Sequence, residues 1–197
     1  ILACNPAMGP VSIEGYYDEA ICVPGLLEEI RRHPADAYVI ACFDDTGLDA
    51  ARTIAPGPVI GICEAAMHMA TLIAGSFSVV TTLGRAVPVV EHLAYKYGFA
   101  HRMRRARAAE VPVLDLEDPG ANAHERLCAE IERALAEDRP EAIILGCAGM
   151  ADLARDLSAR YGLPVVDGVA AAVKLAAGLA ALGLATSRRG GYAAPAA

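Results

Sequence analysis

Two cysteines, Cys42 and Cys147, are the residues of this sequence whose type and placement best suit chemistry. Each closes a short apolar run, and each is followed by a helix-forming segment and then by a Pro-Val pair, at Pro58 and Pro164. The interval from Cys to Pro is 16 residues in the first copy and 17 in the second. This internal echo indicates a repeated βα unit that carries a thiol at the same place in both copies.

Two thiols on opposite sides of a substrate can transfer a proton from one face of a carbon atom to the other. One acts as a base while it is a thiolate, and the other acts as an acid while it is a thiol. Cys42 and Cys147 lie in predicted strand-to-helix turns, where the helix dipole and free backbone N–H groups favour negative charge. We therefore expect thiol pKa values below the usual ~8.5. The backbone amides expected to hold a developing enolate belong to Phe43, Asp44, Ala148 and Gly149.

Packing is the alternative role for any single cysteine, because free cysteine is among the most buried residue types. The matched positions of Cys42 and Cys147 favour chemistry for that pair. Phe43 is open to two interpretations, contact with a substrate or filling of the core. The other cysteines have no matched partner, and we interpret them as packing residues: Cys4, Cys22, Cys63 and Cys128.

Cys63, Glu64 and His68 are residue types that bind metal ions, so a metal site is one interpretation of this segment. The five-residue step from Cys63 to His68 fits one helix face poorly. No fourth ligand is evident beside them, whereas a structural zinc site takes four. The sequence therefore predicts no metal.

Short apolar runs alternate with longer Ala-, Leu- and Glu-rich stretches along the chain, a pattern typical of βα units with parallel sheet, so the predicted class is α/β. The sequence opens inside an apparent strand at Ile1 without a start methionine, so we expect a preceding segment to be missing. The tail after Thr186 is expected to be loosely held. Strands are predicted at 37–42, 58–63, 77–82, 111–114, 141–147 and 163–166, and helices at 24–32, 47–54, 65–75, 88–97, 121–137, 152–161 and 169–182.

Composition narrows the possible partners. The net charge is −7, and the one dense basic run, between His101 and Arg107, is interpreted as a solvated helix end or loop, so a nucleic-acid partner is not expected. No stretch approaches the ~20 apolar residues of a membrane span. The six cysteines form no CxxC pair and follow no signal peptide, which favours reduced thiols in the cytoplasm.

The segments Ala41–Asp45 and Leu145–Met150 resemble the two cysteine motifs of the aspartate/glutamate racemase superfamily, and most closely those of hydantoin and allantoin racemases. The resemblance implies two pseudo-symmetric α/β domains, a catalytic cysteine from each, a cleft between them as active site, no cofactor and a homo-oligomer. The corresponding domains would be 1–75 plus 167–197, and 76–166. Further similar segments are Gly9–Gly15, Glu64–His68, Phe77–Thr82 and Val165–Ala171.

The same resemblance assigns Cys42 and Cys147 as the acid/base pair, and Thr81 and Thr82 as a polar turn that contacts substrate. The sequence departs from the family at its start. Family members open with a strand that ends in an Asn-Pro-Asn-type turn, whereas the match at Gly9–Gly15 places the beginning of this chain at the second strand.

The residues after each cysteine indicate the substrate. Amino-acid racemases of the superfamily follow the first Cys with Asn-Thr and the second with Thr-His, but here Phe43–Asp45 and Ala148-Gly149 follow. Carboxylates beside the first thiol would repel an anionic substrate, so a neutral 5-substituted hydantoin or allantoin is expected. Asp45 or Thr46 is alternatively the cap of the next helix. An amino-acid racemase, isomerase or decarboxylase of the superfamily and a non-catalytic small-molecule-binding α/β protein are the other hypotheses.

Overall fold

A computed structural model describes residues 1–118 and 120–195 of the chain. In this part of the chain, six strands form two sheets, and every pair of neighbouring strands is parallel. The first sheet pairs β1 with β2, and the second has the order β4-β3-β5-β6. The predicted α/β class is therefore confirmed. The strands are β1 Tyr38–Ile40, β2 Val59–Gly61, β3 Phe77–Thr81, β4 Met103–Ala108, β5 Ala142–Gly146 and β6 Val165–Asp167.

Helices connect these strands and cover the sheets. Five of the predicted helices have ends within one or two residues of the observed ones. No helix in the described ranges is both long and apolar enough to cross a membrane. The α-helices are α1 Tyr16–Arg32, α2 Leu48–Ile54, α3 Ile62–Ile73, α4 Val87–Lys96, α5 Ala123–Glu137, α6 Ala154–Tyr161 and α7 Gly168–Ala181.

The core forms around β3 and β5, whose residues are buried along their full length. Their largely apolar sequences suit strands that are covered on both faces, as parallel sheets require. Helices α3 and α7 pack against each other beside this sheet. A Cβ atom at Gly168 would lie 2.5 Å from the carbonyl oxygen of Ile62, so only glycine allows the two helix starts to approach this closely.

The internal echo corresponds to two similar units, β1-α2-β2 and β5-α6-β6, each of which pairs its two strands in parallel. Cys42 follows the end of β1, and Cys147 follows directly on β5. Open parallel sheets bind ligands at the carboxyl ends of their strands, and both thiols lie at such ends. The division into domains 1–75 plus 167–197 and 76–166 stays a prediction.

The prediction for the basic run was wrong, as was the strand at 111–114. Residues 103–108 form β4 at the edge of the second sheet, and 113–116 form a 3₁₀ helix. Arg107 is buried because carboxylates of α5 surround it: its guanidinium contacts Glu130 at 3.2 Å and Glu137 at 2.5 Å. It also pairs with Asp138 at 2.6 Å, just after the helix. A buried arginine that is paired in this way can lie inside a strand.

The beginning of the chain also differs from expectation. Residues 1–4 were predicted as a strand, but they pair with none of the described strands and adopt no regular structure. Cys4 is exposed, so its interpretation as a packing residue was wrong. Helix α1 begins at Tyr16 rather than Pro24, and it includes that proline.

The tail after Thr186 is docked on α2, contrary to the expected loose terminus. The Arg188 guanidinium donates hydrogen bonds to the carbonyl oxygens of Arg52 and Thr53, at 3.2 and 3.1 Å, and to that of Ala55. These carbonyls end α2 and have no partner within the helix, so a cation there is favourable. Residues 196 and 197 lie outside the described residues.

Candidate active site

A cavity of about 480 Å³ opens at the carboxyl ends of β1, β3 and β5. The turns after β1 and β5 form two of its sides, and the segment from Asn5 to Ile13 contributes a third. All eight residues predicted for the site line this one cavity: Cys42, Phe43, Asp44, Thr81, Thr82, Cys147, Ala148 and Gly149.

Cys42 lies in the tight turn between β1 and α2. Its carbonyl oxygen accepts the Asp45 N–H at 3.0 Å, and its Sγ accepts the Thr46 hydroxyl at 3.4 Å. Burial raises the pKa of the Cys42 thiol to about 12, and the negative charge of Asp44 adds to this rise. The Thr46 hydroxyl and the Asp44 N–H lower the pKa, but they do not offset the loss of solvation.

Cys147 begins the turn after β5 and directly precedes a 3₁₀ helix at Ala148–Leu153. Burial raises the pKa of its thiol, and the Asp44 and Glu14 charges raise it further. The backbone N–H of Gly149 lowers the pKa of Cys147. A Cβ atom at position 149 would lie 3.0 Å from Leu116 and 3.9 Å from Sγ, so glycine keeps this amide close to the thiol.

The expectation of lowered thiol pKa values was wrong in sign. The backbone amides that it invoked, at Asp44 and Gly149, do act on the two sulfur atoms. Burial of both thiols and the Asp44 charge outweigh them. At neutral pH, Cys42 and Cys147 are therefore predominantly thiols, and the thiolate that forms on either is a strong base.

Asp44 is itself an unusual carboxyl group in this cavity. Burial raises its pKa to about 7, with further contributions from the negative charges of Glu19 and Asp45. Glu19 comes from α1, and its Oε1 is buried with no hydrogen-bond partner among the described residues. Asp44 therefore changes its charge near neutral pH, at a position where its charge acts on both thiols.

Neither Asp45 nor Thr46 caps α2 with its side chain, so the hypothesis that one of them is the cap was wrong. The capping position of α2 belongs to Gly47, in a left-handed conformation. The Asp45 carboxylate instead accepts the N–H groups of Cys63 and Glu64, at 3.0 and 2.9 Å, and the Tyr97 hydroxyl at 2.7 Å. These bonds satisfy the first turn of α3, which is why the helix starts at Ile62 and the predicted strand 58–63 ends early. Asp45 thus anchors the Cys42 turn to α3.

Thr81 ends β3, Thr82 directly follows it, and both line the cavity. The Thr81 hydroxyl donates to the carbonyl oxygen of Gly146 at 2.9 Å, one residue before Cys147. This bond fixes the end of β5 against β3. Phe43 packs in the main hydrophobic core and also lines the cavity, and its contact with a substrate stays a prediction.

Sequence reasoning missed part of the cavity wall. The segment from Asn5 to Ile13, with Ser12 in it, lines the cavity, as do Cys22 and Val113. The signal that pointed to this segment was the family resemblance at Gly9–Gly15, to which no role had been assigned.

Cys63, Glu64 and His68 do not bring their ligand atoms together. The Glu64 carboxylate pairs with Arg52 at 2.5 Å, and the His68 ring packs edge-on against Phe99, with ring centroids 4.8 Å apart. Cys63 and Cys128 are buried, as packing residues should be. In the part of the chain that the structure describes, a different set of residues brings its ligand atoms within 4.8 Å of one another: Cys4, Glu29 and His33. Two of these three residues are exposed.

The fold and the site together define a class of protein: a parallel α/β protein with two thiols, from echoing strand ends, on one cavity. The sequence matches the model of the Asp/Glu/Hydantoin racemase family over residues 1–176. This chain therefore belongs to that family, and it is a racemase, a kind of isomerase.

Named relatives agree with this assignment. The hydantoin racemase of Rhizobium meliloti is 54% identical over 99% of this chain and 82% of its own length. The structure of the allantoin racemase from Klebsiella pneumoniae superposes with a TM-score of 0.93 at 51% identity, covering 96% of this chain and 79% of that one. The allantoin racemase from Pseudomonas fluorescens gives a TM-score of 0.94 at 36% identity, covering 98% and 83%.

Proposed function

We propose that this protein racemises 5-substituted hydantoins or allantoin without a cofactor, and that Cys42 and Cys147 are its two acid/base groups. The observation that carries the proposal is the presence of both cysteines on one cavity of about 480 Å³, each at the carboxyl end of an echoing strand. The hydantoin and allantoin racemases to which the chain is similar support the substrate class.

The reaction moves one proton. The thiolate of one cysteine takes the proton from C5 of the ring, and the electron pair of the broken C–H bond moves onto the adjacent carbonyl oxygen as an enolate. The thiol of the other cysteine then gives its proton to the opposite face of C5 and becomes the thiolate. Backbone amides at Phe43 and Ala148 stabilise the enolate oxygen, whereas those of Asp44 and Gly149 act on the two sulfur atoms. The raised thiol pKa values make each thiolate a strong base but keep its population small at neutral pH.

A neutral ring suits the charges of this cavity. No Lys, Arg or His is present among the described residues that line it, so no cationic side chain there would pair with the carboxylate of an amino acid. Asp44 instead contributes a carboxyl group that ionises near pH 7, and its negative charge would repel such a carboxylate. This observation favours a cyclic ureide over aspartate or glutamate as the substrate.

The other wall residues receive roles that follow from their contacts. Phe43 contacts the C5 substituent, since it is apolar and lines the cavity. Thr82 contacts the polar edge of the ring. Thr81 both lines the cavity and holds the strand end before Cys147 through its bond to Gly146.

The proposal also covers the architecture and the setting of the enzyme. The two domains are 1–75 plus 167–197 and 76–166, with the cavity in the cleft between them. Exposed apolar side chains at Leu72, Ile73 and Tyr95 suit a contact between copies in a homo-oligomer. All six cysteines are free, which suits the reducing cytoplasm.

The test follows the optical activity of single enantiomers in deuterated buffer. L- and D-5-benzylhydantoin and (S)-allantoin are compared with L-aspartate, L-glutamate and an arylmalonate. Decay of the circular dichroism of a hydantoin or of allantoin, with deuterium entering the stereocentre, supports the proposal. Racemisation of the amino acids alone, or decarboxylation of the malonate alone, contradicts it. Ligand binding without deuterium exchange, unaffected by thiol alkylation, would indicate a non-catalytic binding protein.

A further inference from the structure

The segment from Met8 to Ile13 forms one wall of the cavity and belongs to neither of the cysteine turns. It has no regular secondary structure, so hydrogen bonds within a helix or sheet do not hold it in place. Glu14 directly follows it, just before Gly15 and the start of α1. The contacts of Glu14 therefore help to hold this wall, together with its packing on α1, where a Cβ at Gly25 would lie 2.5 Å from the Met8 carbonyl oxygen.

The Glu14 carboxylate joins this wall to two other parts of the cavity. Its Oε1 accepts the backbone N–H of Val113 at 2.9 Å, and its Oε2 accepts the Arg85 guanidinium at 2.6 Å. Val113 lines the cavity, and so does Ala86, the neighbour of Arg85. One side chain thus connects three stretches of the cavity lining that are far apart in the sequence.

The two halves of this connection differ in their exposure. The Glu14 side chain is 14% exposed, whereas that of Arg85 is 60% exposed. A hydrogen bond from a backbone N–H to a largely buried carboxylate is strong. An ion pair with an exposed arginine is weak and screened by salt, so it can open and close readily. The backbone of Glu14 is held separately, because its N–H donates to the Asp18 carboxylate at 3.1 Å.

We propose that Glu14 is a positioning residue that clamps the Met8–Ile13 wall over the substrate, and that its ion pair with Arg85 opens to admit the substrate. This inference rests on the proposed racemase function. Glu14 does not line the cavity itself, so it acts through the wall that it holds. Loss of the clamp should weaken substrate binding more than it slows proton transfer, because the two cysteines lie on other elements.

The Glu14 charge supplies a second signature. It is one of the charges that raise the pKa of Cys147, whereas the charges that raise the pKa of Cys42 belong to Asp44 and Asp45. Neutralising Glu14 should therefore make Cys147 react with an alkylating agent at lower pH and leave the Cys42 profile in place. This difference reports the Glu14 charge at Cys147, and the clamp itself is tested by the split between KM and kcat and by amide exchange.

The experiment compares Glu14→Gln, Arg85→Met and a control, Glu91→Gln, which removes an exposed charge on α4. Arg85→Met should raise KM for the hydantoin by roughly fivefold with little change in kcat, since it removes only the exposed half of the clamp. Glu14→Gln should raise KM by roughly tenfold or more. Hydrogen–deuterium exchange at the Val113 amide, which donates to Glu14, should rise in Glu14→Gln and stay at the wild-type rate in the control.

Wild-type exchange at Val113 in Glu14→Gln, or a kcat loss without a KM change, would overturn the clamp. If the wild-type protein racemises no hydantoin and no allantoin, the proposed function fails. The exchange measurement needs no turnover, so it decides the clamp independently of that result.

Discussion

Replacing Asp44 by asparagine should make both cavity thiols more acidic. The Asp44 carboxyl group is buried on the cavity wall, and its negative charge is among the causes that raise the pKa of Cys42 and of Cys147. Asparagine has nearly the same shape and keeps the backbone N–H that acts on the Cys42 sulfur. The substitution therefore removes the charge and little else.

The size of the effect follows from the charge and from the pKa values. Two unit charges within one small cavity, at an effective dielectric constant of about 20, interact by about 1 to 3 kcal/mol. This energy corresponds to about one to two pKa units. Because the pKa of Cys42 is about 12 in the wild type, its alkylation profile should move down to about pH 10 to 11 in Asp44→Asn. Burial, the larger cause, still keeps this pKa above the usual range.

The assay is iodoacetamide alkylation of each cysteine against pH, read peptide by peptide by mass spectrometry. Asp49→Asn is the matched control, because Asp49 is exposed on α2 and bonds to Lys96 and Tyr192 rather than to the cavity. Profiles of Cys42 and Cys147 that move to lower pH only in Asp44→Asn support the reasoning. Unchanged profiles, or a shift toward higher pH, would refute the electrostatic account of the site.

The remaining predictions concern stability and are measured by chemical denaturation. The pKa of Asp44 is about 7 in the folded protein and ~3.9 in the unfolded chain. Its contribution to the free energy of unfolding is therefore fully present at low pH and is lost as the pH rises through 7. Asp44→Asn should therefore stabilise the protein above pH 7, by at most about 4 kcal/mol, and have little effect at pH 4. Asp45→Ala should lower the free energy of unfolding by about 2–4 kcal/mol, since it leaves three donors without their acceptor. Tyr97→Phe, which removes only the hydroxyl donor, should lower it by about 1 kcal/mol. Gly168→Ala should cost about 1–3 kcal/mol through its clash with the Ile62 carbonyl, whereas Gly178→Ala, in open space on α7, should be neutral or stabilising. Equal effects of the two glycine variants, or a pH-independent effect of Asp44→Asn, would contradict these predictions.

The sequence allowed the location of the site to be predicted because the relevant information is local. Cys42 and Cys147 each end an apolar strand, and parallel strands bring their carboxyl ends to one edge of a sheet. The polar residues that directly follow such strands, among them Asp44 and Thr82, therefore had to lie near the thiols. The α/β class followed from the same alternation of strands and helices.

Features that depend on distant residues could not be predicted in this way. Asp45 lies 18 residues before Cys63, and nothing near it in the sequence shows that its carboxylate starts α3. The sequence around Arg107 is basic, and nothing near it shows that the carboxylates that pair with its guanidinium come from Glu130 of α5 and from Asp138 just after that helix. The sign of the thiol pKa shifts depends on how deeply each sulfur is buried, a property of the assembled cavity rather than of a strand-to-helix turn.

The central claim, proton transfer between two opposed thiols, is tested most directly by Cys42→Ser and Cys147→Ser with each enantiomer of a hydantoin in deuterated buffer. Each remaining thiol can still remove and return the proton on its own face. The account predicts that neither variant racemises the substrate, and that each exchanges deuterium into one enantiomer only, the two variants with opposite preference. Racemisation that survives in either variant, or exchange into both enantiomers by one variant, would contradict the two-thiol mechanism.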